Sequence, residues 1–413
     1  MTRVRTRHVF YVSGFDPNGP AHYHRLYREQ AALQAAVSGY ALKVGRRRTV
    51  GPDAAQWSLD FEAMAVPADA AGPATVRTCY EFLRWDDIVR AHWPRGLAAV
   101  AAATLGTTWH YLRAGAVRHM LPISWPPCVA LFLPALLLLG LAVALPLLSG
   151  LALLAVRLVP GSGLAGAVAA LAIATLLLTL AWQAEKRLHM QWLMRSFAFT
   201  RAQAAGRVPE LDARLDAFAA RLRELATRGE VDEILLVGHS SGTIMALSAL
   251  ARALRADPGL GAHGPALSLL TLGHCTPMLS SLPEAAAFRA DLAEVAASRD
   301  VHWVDISAPP DGCCCALTDP VRAAGLAPAA RAGHPKLLSP RFAALFTPAP
   351  YAAIRHDRFR LHFQYVMASE LPGVYDYFAI TAGPETLAGR FAAHASVEDF
   401  DQFRLFGKIA PAR

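Results

Sequence analysis

Two long apolar segments near the middle of the chain limit its possible folds more than any other feature. Residues 128–150 (CVALFLPALLLLGLAVALPLLSG) and 164–182 (LAGAVAALAIATLLLTLAW) carry no charged side chain. A helix of about 20 apolar residues crosses the hydrocarbon core of a bilayer, and membrane helices tolerate prolines such as Pro134 and Pro146. We therefore expect a two-helix transmembrane hairpin with spans at about 128–149 and 164–182, rather than a buried helical pair in a soluble protein.

Composition and charge agree with a membrane protein. Hydrophobic residues make up 54% of the 413 residues and charged residues only 17%, against about 25% charged residues in soluble domains. The net charge of +8 suits anionic lipid head groups, and no basic, aromatic-rich motif of a nucleic-acid module is present. The expected partner is therefore a lipid bilayer and not a nucleic acid, and the oligomeric state is left open.

The charges that flank the hairpin predict its orientation. Arg113 and Arg118 precede the first span, Lys186 and Arg187 follow the second, and the connector holds only Arg157. Positive residues stay on the cytoplasmic side of a membrane. Both ends of the hairpin are therefore expected in the cytoplasm, in a bacterial-type inner membrane.

Strand-like and helix-like segments alternate on both sides of the hairpin. This pattern predicts an α/β fold with a mainly parallel sheet flanked by helices. The expected organisation is an N-terminal part of one α/β domain (1–120), the hairpin (121–190) and a C-terminal part of the same domain (191–413). The stretch 308–350 is rich in Pro and Ala and has no assigned element. Strands are expected in segments 8–15, 40–50, 55–64, 76–85, 233–238, 266–273, 301–307 and 375–383.

The motif Gly238-His239-Ser240-Ser241-Gly242 lies between a buried-type strand (EILLVG) and an amphipathic helix. A serine nucleophile needs an exposed position and a neighbouring base. A sharp turn from strand to helix gives that exposure, and it requires small residues two positions before and after the serine. Ser240 is therefore the candidate nucleophile, and the alternative is a tight strand–helix turn without catalysis.

With these residues the chain resembles the α/β-hydrolase superfamily of lipases, esterases and thioesterases. The resemblance implies that an acid and then a histidine follow the nucleophile along the chain. Asp311, after a Pro-Pro turn in VHWVDISAPPDG, is the preferred acid. Asp305, inside the strand pattern, and Asp319 are the alternatives.

Two histidines follow this acid in the segment IRHDRFRLHFQYVMA. His362 lies between apolar neighbours and is preferred as the base, whereas His356 lies in a run of charges. The sequence from His362 to Tyr365 is also similar to the His-x-x-Tyr around the catalytic histidine of fungal-type (class 3) lipases.

An oxyanion hole needs two N–H donors. The N–H of Ser241, directly after the nucleophile, is one candidate. The N–H of Phe15 in YVSGFDPNG is the other, with Gly14 and Asp16 as alternatives.

The expected function is a membrane-anchored serine hydrolase that cleaves an ester or thioester, with a lipid as a plausible acyl substrate. A Ser-His-Asp triad needs no cofactor, and no metal site is expected, because His22 and His24 lack a third ligand and the six cysteines lack zinc spacing. The alternatives are a catalytically inactive membrane-bound scaffold with the same fold, or an acyltransferase or peptidase built on it.

Overall fold

Strands and helices alternate along most of the chain. A computed structural model describes residues 3–64, 74–157, 163–327 and 334–404. The strands are β1 (Thr6–Val12), β2 (Tyr40–Val44), β3 (Arg48–Thr49), β4 (Ala54–Ala63), β5 (Thr75–Leu83), β6 (Glu233–His239), β7 (Ala266–Leu272), β8 (Val301–Ile306) and β9 (Lys336–Leu338). The α-helices are α1 (Pro20–Ser38), α2 (Asp86–Ala91), α3 (Leu97–Arg113), α4 (Ala116–Met120), α5 (Trp125–Arg157), α6 (Gly163–Leu188), α7 (Met190–Ala204), α8 (Pro209–Arg228), α9 (Gly242–Ala256), α10 (Thr276–Ser280), α11 (Ala286–Ala297), α12 (Pro320–Ala323), α13 (Pro348–His356), α14 (Arg358–Phe363), α15 (Tyr377–Ala382) and α16 (Leu387–Arg390).

The strands form one sheet in the order β2-β4-β5-β1-β6-β7-β8-β9, with β3 paired to β4. From β5 through β1, β6, β7 and β8 to β9, every pair of neighbouring strands is parallel. Strand β4 runs antiparallel to its neighbours β2, β3 and β5. The chain therefore has an α/β fold with a mostly parallel mixed sheet flanked by helices, as the alternating pattern predicts.

Side chains of the central strands alternate between two hydrophobic cores, one on each face of the sheet. Ile234 and Leu236 of β6 belong to the core on one face, and Leu235 and Val237 belong to the core on the other. All seven residues of β6 are buried, which is typical of a parallel strand with helices over both faces. Each fully buried large apolar side chain contributes about 1.5–3 kcal/mol to folding, so this strand is held firmly in the centre of the sheet.

The helices α5 and α6 pack against each other, and both are long and apolar enough to cross a membrane by length and composition. The predicted start of the first span at 128 lies inside the apolar helix Trp125–Val156, and Cys128 and Leu131 of this helix are buried in a core of the α/β domain. Most large side chains from Leu136 onward are exposed, and before it Val129 is exposed as well. Residues 136–157 extend about 33 Å at 1.5 Å per residue, enough for the hydrocarbon core. Hydropathy does not separate the side chains that pack on the domain from the exposed ones, because a protein core and a lipid environment select the same side chains. Residues 158–162 of the connector between the two helices lie outside the described residues.

Two other expectations about the C-terminal part differ from the structure. The predicted strand at 375–383 is helix α15, because the carboxylate of Asp376 caps its first turn by accepting from the N–H groups of Phe378 and Ala379. This cap outweighs the β propensity of the aromatic residues. The unassigned stretch 308–350 contains β9, a three-residue strand at the edge of the sheet that is too short to show a periodic pattern.

Candidate active site

The candidate residues gather at the carboxyl edge of the parallel strands. Strands β1 and β6 are in register there, with Val12 opposite Gly238. The N–H of Ser240 donates to the carbonyl of Leu272 at the end of β7 (2.8 Å). The loops after β1, β6, β7 and β8 therefore leave the sheet at one level. Open α/β sheets bind their ligands at this edge.

Ser240 occupies a tight turn between β6 and α9. Its φ of 57° lies in the left-handed region, which costs a residue other than glycine about 1–3 kcal/mol. A Cβ on Gly238 would lie 2.6 Å from the Cα of Thr243, and one on Gly242 would lie 2.3 Å from the carbonyl oxygen of Val12. Both positions are thus restricted to glycine by backbone contact, and the strained turn is fixed by its surroundings.

The loop after β1 lies directly over the nucleophile turn. A Cβ on Gly14 would meet the Cβ of Ser240 at 3.0 Å and its Oγ at 3.4 Å. The N–H of Phe15 donates to the Oγ of Ser241 at 2.7 Å. The N–H of Asp16 donates to the carbonyl of Gly14 at 2.7 Å, so a three-residue turn closes around Phe15. This turn brings the Phe15 N–H, one of the two predicted oxyanion donors, beside the nucleophile.

Asp311 and His362 form a buried acid–imidazole pair. The Nδ1 of His362 lies 2.8 Å from Oδ2 of Asp311, and neither side chain reaches solvent. The hydroxyl of Tyr365 donates to the same oxygen (3.1 Å), and the N–H of Cys313 donates to Oδ1 (3.0 Å). Burial alone would raise the pKa of Asp311, but the charge and hydrogen bond of His362, with the bonds from Cys313 and Tyr365, lower it below its usual value. The carboxylate is therefore ionised and oriented toward the imidazole.

The Nε2 of His362 is the ring nitrogen left for proton transfer. It is buried and has no hydrogen-bond partner within the described part of the chain, so it has no hydrogen bond to Ser240. His239, next to the serine, lies against this imidazole: their ring centroids are 5.1 Å apart, and the Nε2 of His239 lies 2.9 Å from the His362 carbonyl oxygen. Burial first, and the neighbouring His362 second, lower the pKa of His239 to about 3, so it stays neutral. The imidazole of His362 thus lies close to the serine turn, and its Nε2 is unpaired within the described part of the chain.

The structure places the alternative residues elsewhere. Asp305 is buried in β8, where it accepts from the hydroxyls of Thr271 (2.7 Å) and Ser307 (3.0 Å). Asp319 caps the N-terminus of α12, and His356 is exposed at the end of α13. Of the candidates, Asp311 and His362 are the acid and histidine that bond to each other, and their catalytic roles stay predictions.

One thiol lies beside this pair. The donor atoms of Asp311, Cys313 and His362 all lie within 4.8 Å of one another, a grouping that can hold a metal ion. Burial and the charge of Asp311 raise the pKa of the Cys313 thiol far above its usual value. The thiol is therefore protonated at neutral pH, and the Asp311 and His362 donors are already bonded to each other. These features favour the predicted acid–base pair over a metal site.

Trp192 also reaches the site, which the sequence did not indicate. Its indole N–H donates to the carbonyl of Phe15 (2.8 Å), and its ring centroid lies 6.0 Å from that of His362. No spacing rule links a tryptophan at this position to a loop 177 residues earlier.

Comparison with family models, curated proteins and solved structures finds no match to this chain. The case for its function therefore depends on the geometry of the site.

Proposed function

We propose that the chain is a membrane-anchored serine hydrolase of the α/β-hydrolase type that cleaves a carboxylic ester or thioester. The observation that carries the proposal is the buried Asp311–His362 hydrogen bond at the sheet edge where Ser240 occupies a strained strand–helix turn. Along the chain, Ser240 is followed by Asp311 and then by His362, which is the order that the family resemblance implies. The Asp311 carboxylate is ionised and accepts three hydrogen bonds, which a histidine with only a structural role would not require.

The first half of the reaction acylates Ser240. His362 Nε2 takes the proton from the Ser240 hydroxyl while Oγ attacks the carbonyl carbon, and Asp311 stabilises the resulting imidazolium. The tetrahedral intermediate collapses as His362 returns this proton to the leaving alcohol or thiol. His362 Nε2 and the Ser240 hydroxyl have no direct hydrogen bond in the unliganded chain. Such catalytic hydrogen bonds commonly form when substrate binds.

The oxyanion of the intermediate requires two donors. The Ser241 N–H follows the nucleophile at the start of α9, where the helix dipole adds positive potential. The Phe15 N–H now donates to the Ser241 hydroxyl, so the substrate oxygen must replace that hydroxyl as its acceptor. Each donor of this kind is worth about 3 kcal/mol in the transition state.

In the second half, water hydrolyses the acyl-enzyme. His362 deprotonates the water, the hydroxide attacks the acyl carbon, and His362 returns the proton to Ser240 as the carboxylic acid leaves. The protein's own residues account for each proton, so the steps need no cofactor.

The hairpin supports a substrate from the bilayer. Helix α6, one of its two apolar helices, packs against α14, the helix that carries His362. We infer that an acyl lipid reaches the site from the membrane surface. The positive flanks favour a cytoplasmic catalytic domain, and a periplasmic reporter fused at residue 156 tests this orientation.

A fluorophosphonate probe tests the enzyme directly. We expect covalent labelling of the detergent-solubilised wild type on Ser240, identified by mass spectrometry of the labelled peptide. Ser240→Ala should abolish labelling, and Ser241→Ala, in the same turn, should still be labelled at residue 240. A folded wild type that does not react refutes the hydrolase and favours an inactive scaffold of the same fold. Product analysis with water or an added alcohol as acceptor separates a hydrolase from an acyltransferase.

A further inference from the structure

We propose that Trp192 is a positioning residue that ties the exit of the membrane hairpin to the oxyanion hole and the catalytic histidine. The inference rests on the proposed hydrolase function and assigns a role to a side chain outside the predicted triad. Trp192 contacts the oxyanion loop through the Phe15 carbonyl and the base through its ring.

The path of the chain brings Trp192 to this place. Helix α6 ends at Leu188, and His189, with φ of 48°, turns the chain into α7. The N–H of Trp192 donates to the carbonyl of His189 (3.1 Å), which fixes the residue in the first turn of α7. The position of the indole therefore follows directly from the end of the hairpin.

On one side, the indole holds the oxyanion loop. Phe15 follows Gly14, whose backbone no side chain restricts, and the Phe15 ring packs against Trp93 and Phe199. In the unliganded chain, the Phe15 N–H is held by the Ser241 hydroxyl and the Phe15 carbonyl by Trp192. When a substrate oxygen takes the N–H, the first of these bonds is lost. The Trp192 bond holds the carbonyl of the next peptide group and remains, so it limits the movement of Phe15 during the reaction.

On the other side, the indole packs against the helix that carries the base. Its ring meets the edge of Phe359 at 5.6 Å and the imidazole of His362 at 6.0 Å. Phe359 also packs on the ring of His189, at 4.7 Å. One side chain thus restrains both the oxyanion donor and the imidazole, and catalysis depends on such groups being held in place before the reaction.

Trp192→Phe tests the role because it keeps an aromatic ring and removes the N–H. Loss of an oxyanion donor itself lowers kcat by about 10²–10³. Here the donor remains but is less restrained, so we expect kcat for a water-soluble ester to fall about tenfold with KM changed by less than about twofold. The rate constant for phosphonylation of Ser240 by the fluorophosphonate should fall in parallel. Trp192→Ala should lower kcat further, because the contact with His362 is also lost.

The matched control is Trp182→Phe, which removes an indole N–H from α6, where the ring lies near Lys186 and is 59% exposed. It should retain wild-type kinetics. All rates are normalised to the fraction of sites that the probe labels at completion, so misfolded protein does not enter kcat. An active wild type whose Trp192→Phe variant matches it in kcat overturns the positioning role alone. A wild type without Ser240-dependent labelling overturns the hydrolase and this inference together. A change in KM with kcat intact also contradicts the inference, because it indicates substrate binding instead of donor positioning.

Discussion

Replacement of Asp311 by asparagine tests the centre of the candidate site. The carboxylate accepts three hydrogen bonds, from the imidazole of His362, the hydroxyl of Tyr365 and the N–H of Cys313. An asparagine offers one acceptor oxygen and one amino group in the same space. With its nitrogen toward His362, the amide donates to Nδ1 and forces the proton of the ring onto Nε2. The nitrogen that must accept the serine proton is then already protonated.

The expected loss is large because two effects add. The wrong tautomer removes the general base, and the neutral amide no longer stabilises the imidazolium. In serine proteases the same exchange lowers kcat by about 10⁴, or about 5.5 kcal/mol of transition-state free energy. Asp311 and His362 are fully shielded from solvent, so water cannot replace the lost carboxylate, and we expect a loss of kcat of the same order.

The substitution also changes the dependence of stability on pH. The pKa of Asp311 is lower in the folded chain than its usual value near 3.9. Its contribution to the free energy of unfolding is therefore fully present above about pH 4, and it is lost as pH falls through the lower folded value. The Asp311→Asn variant lacks this contribution, so its stability should fall less steeply than that of the wild type below about pH 4. Urea titrations at several acidic pH values measure this difference.

Ester hydrolysis in detergent micelles, normalised to folded protein, measures the loss of activity. Asp305→Asn is the matched control, because Asp305 is equally buried but bonds to Thr271 and Ser307 instead of the candidate base. Burial raises the pKa of Asp305 despite the nearby His274, so a neutral amide resembles its native state better. If Asp311→Asn keeps more than about a tenth of wild-type kcat/KM, or Asp305→Asn loses more activity, the assignment of the acid is wrong.

Three further substitutions or additions test the surroundings of the site. Gly238→Ala places a Cβ 2.6 Å from Thr243 Cα, so it should lower the free energy of unfolding by about 1–3 kcal/mol or more and reduce probe labelling. A variant with the wild-type melting temperature would contradict this contact. Tyr365→Phe removes a hydroxyl that donates to Asp311 and accepts from a backbone N–H; it should cost about 1.5–3 kcal/mol in denaturant titrations and lower kcat, and unchanged stability would refute its supporting role. Added Zn²⁺ should inhibit the wild type and Cys313→Ser equally, because the Cys313 thiol is protonated at neutral pH and Asp311 and His362 are bonded to each other. Weaker inhibition of Cys313→Ser would show that the thiol is a ligand.

The local parts of the site could be predicted from the sequence because each has a short-range signature. A turn with Gly238, Ser240 and Gly242 between strand and helix requires the backbone contacts that the structure shows. The pairing of Asp311 with His362 was preferred over that of Asp305 with His356 on loop position and apolar neighbours, and these are the two residues that bond. The sequence could not show how His362 Nε2 lies relative to the Ser240 hydroxyl, because this depends on side-chain positions that no local pattern encodes.

Long-range packing escaped the sequence for a different reason. Hydropathy marks Cys128 and Leu131 as membrane-like, yet both side chains are buried in a protein core, because burial in protein and burial in lipid favour the same side chains. The aromatic residues of 375–383 predict a strand through their β propensity, whereas the Asp376 cap makes this segment the helix α15. Trp192 had no signal at all, because its partners are distant in sequence.

The hairpin joins the α/β domain next to the candidate site. Helix α6 passes directly into α7, whose first turn brings Trp192 to the oxyanion loop, and α6 also packs against the helix of His362. A hairpin inserted only as an anchor could enter any surface loop, since loops tolerate insertion widely. This one joins the fold at two elements of the candidate site. A bilayer around α6 would bear on the positions of His362 and Phe15, so that the proposed membrane attachment and the arrangement of the candidate catalytic groups depend on the same helix.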